Sequence, residues 1–74
     1  SQATIGGIIM NLYREGTLLR GRYGDLWMIA EITKKVWGQP PATMTYTCVR
    51  LKDSFINHSL CRIVHHRMEL VSEA

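Results

Sequence analysis

Thr17-Leu18-Leu19-Arg20-Gly21-Arg22-Tyr23, then Gly24-Asp25, then Leu26-Trp27-Met28-Ile29-Ala30-Glu31-Ile32, is the stretch whose reading decides the fold. Two strand-like runs flank a Gly-Asp pair, which suits a two-residue hairpin loop with glycine supplying the positive φ of a type II′ turn. That turn sets Tyr23 opposite Leu26, Arg22 opposite Trp27, Gly21 opposite Met28, Arg20 opposite Ile29 and Leu19 opposite Ala30. Side chains alternate along each strand. One face then carries Leu19, Gly21, Tyr23, Leu26, Met28, Ala30 and Ile32. The other carries Leu18, Arg20, Arg22, Trp27, Ile29, Glu31 and Lys35. In this register every charge falls on one side, as a hairpin with one core face requires.

Working outward, Trp37-Gly38-Gln39-Pro40-Pro41-Ala42 reads as a loop, because its two prolines cannot donate to a ladder. Thr43 to Val49 alternates polar and apolar residues and is rich in β-branched ones, so a strand is expected with Met44, Tyr46 and Cys48 inward. Lys52 to Ser59 reads as a connection with a bend at Asp53-Ser54 or Asn57-His58. Leu60 to Val64 is expected to be a short strand, His65 to Met68 a single helical turn, and Glu69 to Val71 a closing strand. Upstream, Ile5, Ile8, Ile9 and Leu12 have helical spacing, but Gly6-Gly7 costs a helix about 1 kcal/mol per residue relative to Ala. Residues 1–15 are therefore an N-terminal arm or a short helix ahead of a domain over 16–74.

The chain has 74 residues, 46% of them hydrophobic, which is too apolar for a disordered tail and enough for one core. No apolar run approaches the roughly 20 residues of a helical membrane span. Ile5 to Met10 lacks the basic flank and long apolar region of a signal peptide. Two cysteines, Cys48 and Cys61, are too few for a disulfide framework, so a reduced, cytoplasmic chain is expected. The net charge of +3 leans toward polyanions, but acidic residues are interspersed and the longest basic run is Lys34-Lys35.

The order of these elements resembles the SH3-like small-barrel group, which includes SH3, Tudor, chromo-barrel and KOW-type domains and the type II dihydrofolate reductases. The resemblance rests on Leu18 to Trp27 and on Ile63-Val64-His65-His66-Arg67-Met68-Glu69-Leu70-Val71, and covers residues 16–72. It implies a mainly β fold, a small five-stranded barrel with one helical turn near the C-terminus. The acidic loop and paired aromatics of a peptide-binding SH3 surface are missing. So is the Val-Gln-Ile-Tyr segment of type II dihydrofolate reductases, whose nearest counterpart is Cys61-Arg62-Ile63-Val64.

Candidate chemistry centres on the outer hairpin face. Arg20, Arg22 and Lys35 can neutralise phosphates and Trp27 can stack on a base. The same face can equally hold Arg22 on Trp27 as a cross-strand cation–π pair, or bury Trp27 and Ile29 under the N-terminal segment or a second subunit. Cys48, His58, Cys61, His65 and His66 include zinc-ligand types, but their spacing fits no zinc-site pattern. Tyr23, Trp27, Trp37, Tyr46 and Phe55 supply rings for a methyl-lysine cage, provided that three or four converge. No nucleophile motif or phosphate-binding glycine loop is present. The expectation is a non-catalytic binding module without cofactor or metal, not an enzyme: first a protein-interaction or self-association domain, with a protein partner or a second copy. The alternative is a nucleic-acid-binding domain using Arg20, Arg22, Trp27 and Lys35. A lesser alternative is a small-ligand or dihydrofolate-reductase-like oligomer, and no membrane role is expected.

Overall fold

A computed structural model describes residues 2–5, 8–33 and 44–74, with side chains described from residue 11 onward. Lys35 and the Trp37–Ala42 loop lie outside the described residues. The elements in chain order are β1 (Gln2–Ile5), β2 (Ile8–Asn11), β3 (Leu18–Arg20), β4 (Leu26–Thr33), β5 (Thr45–Arg50), β6 (Ile56–Leu60), α1 (Cys61–Arg67) and β7 (Glu69–Ser72). β1 and β2 pair antiparallel as a two-stranded hairpin, so the N-terminal segment takes the arm-like form and not the helical one.

The fold is mainly β, as expected. β6-β5-β4-β3-β7 form one five-stranded antiparallel sheet. Among the described residues the sheet is open, with β6 and β7 at its edges, rather than a closed barrel. The core consists of Leu12, Leu19, Ile29, Tyr46, Cys48, Cys61 and Val64, flanked by Tyr13, Trp27, Ile32, Met44 and Met68. It thus reaches back to Leu12 and Tyr13, ahead of the first strand of the large sheet.

The β3–β4 hairpin forms, but in a different register from the one its sequence suggests. Leu18 pairs with Met28, Leu19 with Trp27 and Arg20 with Leu26. The Gly24 N–H donates to the Gly21 carbonyl at 3.0 Å, and the Gly21 N–H donates to the Asp25 carbonyl at 2.9 Å. Gly24 has φ +86°. This is a three-residue loop, a type I turn over Arg22-Tyr23 followed by Gly24 in the left-handed region. Glycine supplies the positive φ here at the last loop position instead of the first. The strands slide by three residues, an odd number, and β4 turns over relative to β3. Trp27 and Ile29 therefore join Leu19 on the core face, and Arg20 shares the opposite face with Leu26.

β4 corrects its own phase downstream. Ile29 pairs with Cys48 and Glu31 with Thr47, which leaves Ala30 as an extra residue in the ladder. This bulge lets Ile29 and Ile32 both face inward, although they are three apart, while Ala30 and Glu31 stay exposed. β5 matches its alternating pattern: Tyr46 and Cys48 are buried.

The region after β5 differs from expectation. The Ser54 N–H donates to the Arg50 carbonyl at 2.8 Å, and Ser54 holds φ +60°. Asp53 also accepts from the Phe55 N–H at 3.1 Å. The chain reverses at once at Asp53-Ser54, so Ile56–Leu60 pairs with β5 and is a strand, not a connection. Cys61–Arg67 is then helical where Leu60 to Val64 reads as a strand. The burial of Cys61 and Val64, three apart, is helical spacing; a strand would bury alternate residues. Glu69–Ser72 closes the sheet against β3, as the sequence suggests.

Candidate functional site

A groove of about 370 Å³ opens between the β3–β4 loop, the β5–β6 turn and α1. Trp27 of β4 and Phe55 after the turn form its aromatic floor, with ring centroids 6.4 Å apart in an edge-to-face arrangement. Ile63, Val64 and Met68 supply the helical wall, and Asn57 and Ser59 line it from β6. Phe55 is 54% exposed, so half of its ring is open to a ligand.

Gly21 determines how close the loop comes. A Cβ at that position would lie 2.9 Å from Trp27 Nε1, so only glycine lets the indole pack beneath the loop.

Arg50 organises the electrostatics. Pairing with Trp27 across β4–β5 puts it on the same face as the indole. Its guanidinium lies 5.4 Å from the Trp27 centroid and 5.0 Å from that of Phe55. Its Nε and Nη2 donate to Asp53 at 3.0 and 2.8 Å, a bidentate clamp. Asp25 stands 3.9 Å from Arg50 and 3.3 Å from Lys52. The bonds from Arg50, helped by the Phe55 N–H, hold the Asp53 carboxyl down to about 2. The two rings thus already face a cation of the chain itself. Tyr23 lines the same groove, whereas Tyr46 is buried in the core, and an external methyl-ammonium on Trp27 and Phe55 would have to displace Arg50.

The residues singled out from sequence separate. Arg22 and Trp27 both line the groove. Arg22 is exposed in the loop, its guanidinium 5.4 Å from the centroid of the Tyr23 ring. Arg20 is exposed on the opposite face of the sheet, and Lys35 lies outside the described residues. Arg50 and Phe55 come together through the bend expected at Asp53-Ser54, which closes tightly enough to set Phe55 opposite Arg50.

A second polar cluster sits in the core. The Tyr13 N–H donates to the Tyr46 hydroxyl at 2.9 Å, and that hydroxyl lies 2.7 Å from His65 Nε2. With the oxygen accepting from Tyr13, the Tyr46 hydrogen is free to donate to His65. The Tyr13 and His65 rings stack with centroids 4.0 Å apart. Burial raises the Tyr46 hydroxyl well above its ordinary value and lowers His65 below 6.5. This cluster fixes α1 to β5 and to the segment before β3.

Cys48 and Cys61 are free and buried, and burial pushes both thiols up to about 11. They are protonated and poorly nucleophilic at neutral pH. Among the described residues no three His, Cys, Asp or Glu side chains are grouped to hold a metal ion, and no helix is long and apolar enough to cross a membrane. Compared with models of protein families, with curated proteins and with solved structures, the chain matches none of them.

Proposed function

We propose that this chain is a non-catalytic protein-interaction module of the SH3-like small-barrel type, which takes a short extended segment of a partner protein in the Trp27–Phe55 groove. The strand order supports the fold: a meander β3-β4-β5-β6, one helix, and a last strand returning beside the first. The observation that carries the function is the groove itself, an apolar trough with an aromatic floor and a rim bearing both Arg22 and Asp25. Such a surface buries an apolar side chain on Phe55 and Trp27 while rim charges orient the backbone around it. Among the described residues the groove lining contains no histidine, its Asp25 is ion-paired, and its Cys48 thiol is protonated, so none of these supplies an activated nucleophile.

Tyr23 favours a second reading. It is 84% exposed with Arg22 beside it, and Arg67 lines the same groove. This is a stacking ring among cations, as single-stranded nucleic acid requires.

Selection of random peptides on the immobilised chain tests the first reading. Enriched peptides bind the wild type and lose at least tenfold on Phe55→Ala. If no peptide is enriched while an oligonucleotide binds with a steep salt dependence, the second reading replaces it.

A further inference from the structure

β6 is an edge strand, paired among the described residues with β5 alone. Its inward bonds are fixed at both ends: the Arg50 N–H donates to the Phe55 carbonyl at 2.8 Å and the Cys61 N–H to the Met44 carbonyl at 2.9 Å. Antiparallel ladders alternate bonded and non-bonded pairs. Asn57 and Ser59 therefore turn their backbone groups toward Cys48 and Tyr46, and Ile56, His58 and Leu60 turn theirs outward. Proteins blunt such an edge with lysine, proline, inward charges or a bulge. Ile56-Asn57-His58-Ser59-Leu60 has no Lys, Pro, Asp or Glu, and its pairing with β5 is regular. Ile56 is 57% exposed on it.

We propose that this edge pairs antiparallel with the same edge of a second copy of the chain, about a twofold axis through His58. His58 then faces His58 of the second copy, Ile56 faces Leu60, and Asn57 faces Ser59. The outward-turned residues Ile56, His58 and Leu60 all fall in bonded pairs, each exchanging both of its N–H···O bonds. A slip of one residue sets outward groups against inward ones and loses the ladder. The strand is thus self-complementary, apolar against apolar at its ends and amide against hydroxyl between them, with no carboxylate, lysine or arginine in it to repel.

Side-chain continuity supports the same register. Met28, Val49 and Ile56 form one row across β4, β5 and β6 on the sheet's outer face. Leu60 of the second copy extends that row. The axis is perpendicular to the sheet, so the two grooves, each lined by Asn57 and Ser59, open on the same face on either side of it. The dimer presents two grooves to one partner. Its formation does not depend on what the grooves hold.

Sedimentation equilibrium from about 10 to 500 μM is the test, a range suited to a small edge contact. The expected result is concentration-dependent conversion of the 8.5 kDa chain to twice that mass. His58→Lys and His58→Asp each place two like charges across the axis and weaken the dimer at least about fivefold. Mixing these two variants restores dimers, because opposite charges then face each other. The His58 side chain is exposed and its one protein bond among the described residues, to Thr47 Oγ1 at 2.9 Å, is itself exposed, so both variants keep the wild-type circular dichroism spectrum. A chain monomeric throughout this range overturns the proposal, as does a dimer unaffected by both variants or an assembly larger than a dimer.

Discussion

Tyr46→Phe removes one oxygen from the middle of the core and isolates the cluster that joins α1 to the sheet. Tyr46 has no exposed surface, and its ring stays in place in the variant. Two bonds are lost, from the Tyr13 N–H at 2.9 Å and to His65 Nε2 at 2.7 Å. Each is worth about 0.5–1.5 kcal/mol net, and a buried group left unpaired costs about 1–3. Tyr13 and His65 are only half-buried, so water recovers part of that penalty. The expected loss is about 2–3 kcal/mol. With a urea slope of about 1 kcal/mol/M for a domain of this size, the midpoint falls by about 2–3 M. A fall of less than about 0.5 M would show that the cluster contributes nothing beyond packing.

The pH dependence gives the same cluster a second readout. Burial holds His65 below its ordinary 6.5. As pH falls, the unfolded chain takes up this proton first, so in that window the unfolded state binds more protons and stability rises with pH. The His65 contribution is complete above 6.5 and is lost progressively below it. Tyr46→Phe keeps the ring that helps bury His65, so the acid loss keeps its slope while the whole curve drops. A stability that does not fall below pH 6.5 in either protein would refute the burial of His65.

Other perturbations probe the groove and the core. Gly21→Ala forces Trp27 away from the loop and costs about 1–3 kcal/mol by overpacking, read as a changed Trp emission and a lower urea midpoint; an unchanged emission contradicts the close approach. Gly24→Ala meets no neighbour but strains a positive φ, so it costs about 1–2 kcal/mol and leaves the Trp27 environment intact in chemical-shift spectra. Cys48 and Cys61 resist a thiol reagent at pH 8 in the folded chain and react in step with urea unfolding; rapid modification without denaturant would show that they are not buried as described.

Much of the sheet was legible in the sequence, and the misses have identifiable physical causes. β5 was readable because threonines alternate with residues that fill the core. The hairpin strands were readable, but Gly24 suits two turns equally, and its place at the last loop position instead of the first slides the strands by three residues and inverts β4. Sorting the charges to one face supported the wrong choice, because Arg22 and Tyr23 belong to the loop and not to β3. The Ala30 bulge leaves no local signal beyond inward residues three apart. Ile63-Val64 has strong β propensity, yet the burial of Cys61 with Val64 makes the segment helical. Trp27 and Arg22 do share the groove, but as a core-face indole and a loop residue and not as the cross-strand pair their sequence suggests. Arg50 and Phe55 required the tight reversal at Asp53-Ser54, where a non-glycine residue takes a positive φ.

The proposed role of the Trp27–Phe55 groove is to receive a segment of a partner protein. Its most direct test is Trp27 emission in a Trp37→Phe background, titrated with a peptide enriched on the wild-type chain. Saturable change of the Trp27 signal is predicted, abolished by Phe55→Ala while the fold is retained. Tight peptide binding that leaves Trp27 emission unchanged would contradict it.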